Sequence, residues 1–330
     1  MRILKTIQKI PGGMVVVPLL LGATLNTLFP NLAEYFGGVT GAYINGASAI
    51  LFAFFFCVGA SIDIKGNSGY IVKKGLLISG GKVLLAALLG IVLSRIIPSE
   101  GIQTGILSGV STLAIVAAFS QTNGGLYISI LEPYGRNEDI AAFPFISVQS
   151  GPFFTMIIMG MAGVASFPLP ALMSTLLPFI LGLILGTLDQ DIRQMFAPGV
   201  GILIPFFSCA LGFTLDFRQI IQSGLSGIIV GLLVIFVSGG VMAFLDRYVA
   251  KSDGIAGWAA ASTAGAGVSV PHVLAELAPE QFGTIAESAT AIVATAVIVT
   301  SILTPIVTNY MEKRARVKGL PVVPNETKSK

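Results

Sequence analysis

The chain has 330 residues, of which 54% are apolar and only 11% are Asp, Glu, Lys or Arg, against about 25% charged residues in soluble proteins. A water-exposed globule needs more polar surface than this, so an ordinary soluble enzyme is excluded and a lipid-facing helical bundle is indicated. The formal net charge of +3 comes from small basic clusters that form no stripe, which argues against a nucleic-acid partner.

In chain order, apolar runs bounded by charged or turn residues predict about ten membrane spans. They fall at 11–29, 41–61, 75–95, 101–131, 140–162, 168–188, 198–215, 224–245, 254–276 and 284–309. Their lengths suit helices, which need about 20 residues to cross a bilayer, and none shows the period-2 polarity of a barrel strand. The basic opening with Arg2, Lys5 and Lys9 reads as the start of a retained helix, because no A-x-A-like cleavage site follows promptly. Of the 19 basic residues, all but Lys82, Arg95 and Arg218 fall at one set of span ends. That bias puts both termini in the cytoplasm, makes the Asn31 to Thr40 loop external and supports an even number of spans. The residues after Tyr310 read as a solvated polar tail, and Cys57 and Cys209 read as small buried hydrophobes.

The two halves echo each other. Val17-Pro18-Leu19-Leu20-Leu21-Gly22 with Thr27-Leu28 recurs as Leu177-Pro178-Phe179-Ile180-Leu181-Gly182 with Thr187-Leu188. Phe55-Phe56-Cys57-Val58-Gly59, leading to Asp63 and Lys65, is echoed by Phe206-Phe207-Ser208-Cys209 with Gly212, Asp216 and Arg218; Ser111-Thr112 matches Ser262-Thr263. The expected organisation is a first five-helix repeat over 1–162, a second over 163–310 and a cytoplasmic tail over 311–330. Five spans per copy is an odd number, so the second copy enters the bilayer from the opposite side, an inverted repeat of the kind that supports alternating access.

Spans four and nine carry the candidate site. Span four contains Ser111, Thr112, Thr122, Asn123, Gly124 and Gly125 and is too long for one straight helix; span nine runs through Ser262, Thr263 and a Gly- and Pro-rich stretch that weakens any continuous helix. Two interrupted helices crossing near the midplane would aim half-helix N-termini at an anion, with hydroxyls and amides completing the cage. Lys82 lies inside span three, where it either faces a cavity and neutralises a substrate carboxylate or snorkels to the cytoplasmic side. The candidate coupling residues are Lys82, Gln149 and Glu276. The sequence shows one His, no paired intramembrane Asp residues, no H-E-x-x-H motif and no nucleotide loop, so an enzyme, a resident metal or another cofactor is not expected.

Ile10-Pro11-Gly12-Gly13-Met14, Phe55 to Ile62, Thr122-Asn123-Gly124-Gly125-Leu126-Tyr127, Ser150-Gly151-Pro152 and Val293 to Leu303 together resemble the bacterial 2-keto-3-deoxygluconate permease family, across nearly the whole chain. The resemblance implies an inner-membrane proton symporter for this six-carbon sugar acid. It also implies a distant similarity to bile-acid sodium symporters, whose ten helices form a panel and a core with two crossing broken helices. Where that family is expected to carry Glu before Ser-Gly-Pro, this chain has Gln149, and an amide takes up no proton near neutral pH. A sodium-coupled organic-anion carrier is the alternative, because Ser, Thr, Asn and Gln oxygens suit Na⁺ without a titrating side chain.

Overall fold

The computed structural model describes residues 2–9, 13–62, 69–134, 137–149, 151–213 and 224–317. The expected features at Ile10-Pro11-Gly12, Asp63, Lys65, Ser150, Asp216 and Arg218, and the tail beyond Val317, lie outside these residues. Within them the protein is helical and no strand occurs. The main segments are α1 (Gly13–Leu28), α2 (Ala47–Ala60), α3 (Gly69–Leu93), α4 (Thr112–Phe119), α5 (Gly124–Leu131), α6 (Pro152–Met161), α7 (Leu169–Leu188), α8 (Gly199–Gly212), α9 (Gly224–Tyr248), α10 (Ile255–Ala259), α11 (Val270–Leu277) and α12 (Ala286–Val317).

Among the described residues, six helical runs are long and apolar enough to cross a membrane, or up to eight if two bent pairs each count as one span. The chain is therefore a multi-pass membrane protein. Two of the ten expected spans are not single long helices among the described residues: α1 has 16 residues with Pro18 inside, and the 254–276 stretch is broken into α10, a 3-10 turn and α11. The side chains follow membrane logic. Along α3, Ile78, Lys82, Ala86 and Gly90 form a buried stripe at i+4 spacing, while Leu84, Leu88 and Val92 are exposed, as expected where lipid is the solvent.

The segments pack as two units. In the first, α7 lies along α2, α8 lies along α1, and α8 also touches α2. Close helix approach sets this unit: a Cβ added to Gly22 would lie 2.9 Å from the Cα of Gly212, and one added to Gly59 would lie 2.9 Å from the backbone N of Leu183. In the second unit, α3 packs on α4, α6 and α9, while α12 packs on α4, α9, α10 and α11.

Three sequence expectations need correction. Span four does not begin as helix at 101: residues 101–110 form a looped turn with Gly101, Gly105 and Gly109 at positive φ, and the helix starts only after Ser111. The last helix does not end near Tyr310. It continues to Val317 with Glu312 and Ala315 buried, because Glu312 pairs with Arg316 one turn on and basic residues favour a helix C-terminus. The proposed match of Ser111-Thr112 with Ser262-Thr263 is not the structural one, since the two helix interruptions fall at 120–123 and 260–264.

Candidate functional site

The two interruptions meet around Lys82. Its ammonium, wholly buried, donates to the carbonyls of Gln121 (2.7 Å), Ala260 (3.1 Å) and Ser262 (2.7 Å). These carbonyls lie just past the C-terminal ends of α4 and α10, where a helix leaves acceptors unused and the dipole favours a cation. Lys82 therefore does not snorkel. All three of its donors are taken up by protein carbonyls, so its charge faces the ends of the two half-helices.

Further bonds lock the crossing. The Asn123 N–H donates to Ser262 Oγ (3.1 Å), and the Thr263 hydroxyl donates to the Ala118 carbonyl (3.1 Å), while the Thr263 N–H donates to Thr300 Oγ1 (3.2 Å). The Gln121 amide makes a reciprocal pair with Gly151, donating to its carbonyl (3.1 Å) and accepting from its N–H (3.2 Å). Gly151 has φ +105°, a region that strains other residues. The Gln149 amide fits with its oxygen toward the Thr122 N–H (3.2 Å) and hydroxyl (2.7 Å), and its nitrogen toward the carbonyls of Ser79 (3.2 Å) and Ser120 (3.0 Å). An ionised Glu there would turn an oxygen onto two carbonyls; the amide supplies their donor permanently.

Beyond the crossing the chain turns two helix N-termini into one cleft. Asn123 caps α5, its Oδ1 accepting from the Leu126 N–H (3.1 Å), which leaves the N–H groups of Gly124 and Gly125 unused by the helix. Ala264 precedes the 3-10 turn Gly265–Ser269, and the Gly267 N–H returns to its carbonyl (3.0 Å), so the N–H groups of Gly265 and Ala266 are left over in the same way. Asn123, Gly124, Gly125, Gly265 and Ala266 all line a narrow cleft, walled by Phe54, Val58, Val200, Ile204 and Phe207 of the first unit and by Phe143 of the second. Four N–H groups at two positive dipole ends, beside apolar walls, are an arrangement that would suit a small anion.

Of the residues expected at the site, the structure brings Thr122, Asn123, Gly124 and Gly125 to the cleft, and Lys82, Gln149 and Ser262 to the crossing behind it. Thr263 is buried off the cleft, because its hydroxyl has a carbonyl partner. Ser111 is the N-cap of α4, accepting from the Ala114 N–H (3.2 Å); it and Thr112 sit at the far end of an eight-residue helix, about 12 Å from the crossing. Glu276 is exposed beside Ser48, whose hydroxyl lies 3.5 Å away, in a different cleft. Among the described residues no group of His, Cys, Asp or Glu has a metal-binding arrangement.

Sequence reasoning missed Phe143, which a Cβ on Gly124 would strike. Gly124→Ala is expected to push this ring into the cleft and weaken substrate binding several-fold, read by titrating purified protein with substrate; unchanged affinity would show that this face of the cleft is not used. Sequence reasoning also missed that Asp139 and Asp246 are both buried against Lys74, brought together by helices distant in sequence.

A family model described as 2-keto-3-deoxygluconate permease matches residues 4–317. The chain belongs to the 2-keto-3-deoxygluconate permease family. It is 52% identical over 318 residues to a 2-keto-3-deoxygluconate permease of Bacillus subtilis (strain 168), covering 96% of each chain. It is 45% identical over 322 residues to one of Escherichia coli (strain K12 / DH10B), covering 98% of each. A member of the 2-keto-3-deoxygluconate permease family is a transporter and not an enzyme.

Proposed function

We propose that the protein carries 2-keto-3-deoxygluconate across the bacterial cytoplasmic membrane by proton symport and alternating access. The observation that carries this reading is the convergence of two half-helix N-termini on one cleft, where N–H groups suit a carboxylate and the Thr122 and Asn123 side chains suit sugar hydroxyls. The names of the relatives point to the same sugar acid. Proton coupling is favoured over sodium because the carbonyls at the crossing, which would suit Na⁺, already hold the Lys82 ammonium.

Ten spans in two inverted repeats, 1–162 and 163–310, are part of this proposal. They are supported by the bent runs, the two interruptions and the reciprocal pairing of Gly22 with Gly212 and Gly59 with α7, which crosses the echoed segments. A second cleft between the units, lined by Ser48, Phe55, Ser174, Val273 and Glu276, shares no residue with the first. The two clefts are the natural counterparts of the two access routes.

Uptake of labelled substrate into proteoliposomes, with H⁺ and Na⁺ gradients imposed separately, tests the proposal. Accumulation driven by protons alone is expected; accumulation driven by sodium alone would contradict it. For topology, single cysteines at Glu34 and Glu138 are expected to react with an impermeant thiol reagent from opposite sides, and labelling from the same side would end the ten-span reading.

A further inference from the structure

A basic cleft lies apart from both clefts described above. It is lined by Arg247 of α9, Ile255 and Trp258 of α10, Arg314 of α12 and, just ahead of α10, Asp253. α10 packs on both α9 and α12, so the two arginines reach one cleft from separate helices. Both are exposed, and among the described residues neither is within ion-pair distance of a carboxylate. Asp253 is buried and its Oδ1 accepts from the Ile255 N–H (3.0 Å). The sum of charges favours an anion. Over 247–253 and 312–316 there are five basic residues, Arg247, Lys251, Lys313, Arg314 and Arg316, against two acidic ones, Asp253 and Glu312. Glu312 pairs with Arg316, and Asp246, just before this stretch, is turned onto Lys74. With Asp253 set against one arginine, a positive excess remains. Basic residues suit helix C-termini, but that alone does not bring two of them to one cleft beside an indole.

The helix faces that lead to the cleft indicate which anion. On α12, Ile302, Ile306, Tyr310 and Arg314 follow one another at i+4 spacing and are all exposed, so they form one outward stripe. On α9, Phe244 and Tyr248 are exposed one turn apart with their rings 4.7 Å from each other, and the Arg247 guanidinium lies 5.5 Å from the Tyr248 ring centroid. Apolar side chain, then tyrosine, then arginine is the order of the bilayer's own layers: acyl chain, interface and headgroup. A free phosphate would use only the arginines. A phospholipid uses the stripes as well.

We propose that this cleft binds the phosphate headgroup of an anionic phospholipid, with Arg247 and Arg314 on the phosphate oxygens and an acyl chain along the Ile302 to Tyr310 stripe. The bound lipid ties the ends of α9 and α12 together across α10. That helix ends at Ala259, and the Ala260 carbonyl just past it accepts from Lys82, so a clamp on α10 steadies one side of the crossing. Trp258 joins the cleft to α9, since a Cβ added to Gly239 would lie 2.8 Å from the indole. The lipid site rests on the chain being a membrane protein and not on the transport reading above.

Trp258 is the chain's one tryptophan, so its fluorescence reports on this cleft. Purified protein in phosphatidylcholine vesicles is titrated with brominated phosphatidylglycerol or with brominated phosphatidylcholine, bromine being the quencher. A basic residue near an anionic headgroup contributes about fivefold in affinity, and Asp253 offsets one of the two arginines. Phosphatidylglycerol is therefore expected to half-quench Trp258 at a lipid fraction about fivefold lower or less, a preference that added salt weakens and that Arg247→Gln combined with Arg314→Gln removes. Equal quenching of the wild type by the two lipids overturns the proposal, whether or not the double variant folds. A preference undiminished in the double variant also overturns it. Inorganic phosphate that raises the melting temperature as much as phosphatidylglycerol does would assign the arginines to a free anion and overturn the lipid. The clamp requires phosphatidylglycerol to raise the melting temperature of the wild type and not of the double variant; no rise in the wild type overturns the clamp.

Discussion

Replacing Lys82 by Met is expected to abolish transport and to destabilise the carrier severely. The thioether keeps most of the length of the side chain but removes every donor from the Gln121, Ala260 and Ser262 carbonyls. A buried polar group left without its partner costs about 1 to 3 kcal/mol, so three of them cost about 3 kcal/mol or more. Membrane or soluble, a fold with a net stability of about 5 to 15 kcal/mol feels such a loss. The same change removes the cation that faces the C-terminal ends of α4 and α10, so the interruptions that aim α5 and the Gly265 turn into the cleft are no longer tied together. Thermal unfolding of purified protein and substrate uptake check this result. A Met variant with wild-type stability and transport would show that the crossing does not depend on the ammonium.

Asn123→Ala is expected to weaken binding of the sugar acid about tenfold or more with a much smaller effect on folding. The Asn123 side chain accepts from the Leu126 N–H and holds the first turn of α5, and loss of such a cap costs about 0.5 to 2 kcal/mol of helix stability. Here the fraying is local to Gly124 and Gly125, whose N–H groups face the cleft, so binding suffers more than the bundle does. The backbone N–H of Asn123 still reaches Ser262, which keeps the crossing assembled. Ligand titration read beside the melting temperature separates the two effects. Unchanged affinity would remove the α5 N-terminus from the site.

The interruptions were legible because Thr122-Asn123-Gly124-Gly125 and the Gly- and Pro-rich run after Thr263 break helical continuity by their local chemistry. The roles of individual side chains were less so. Lys82 was expected to meet a substrate, since sequence shows its depth but not the carbonyls that surround it. Thr263 resembles Thr122 in sequence, yet a carbonyl partner at Ala118 decides its orientation. The start of α4 was misplaced because apolar residues at 101–110 look like a span, whereas glycines at positive φ make a loop of them. The Lys74–Asp139–Asp246 cluster was invisible because each member sits near a span end in sequence, where charges are ordinary, and only tertiary packing buries them together.

The most direct check on the central claim, that two helix N-termini hold the carboxylate of a sugar acid, compares binding of 2-keto-3-deoxygluconate with binding of its neutral carboxamide. Hydrogen bonds to a charged group contribute about 1.5 to 3 kcal/mol, so the amide is expected to bind at least about tenfold more weakly, and Asn123→Ala should narrow that difference. Equal affinity for the acid and the amide would contradict the account.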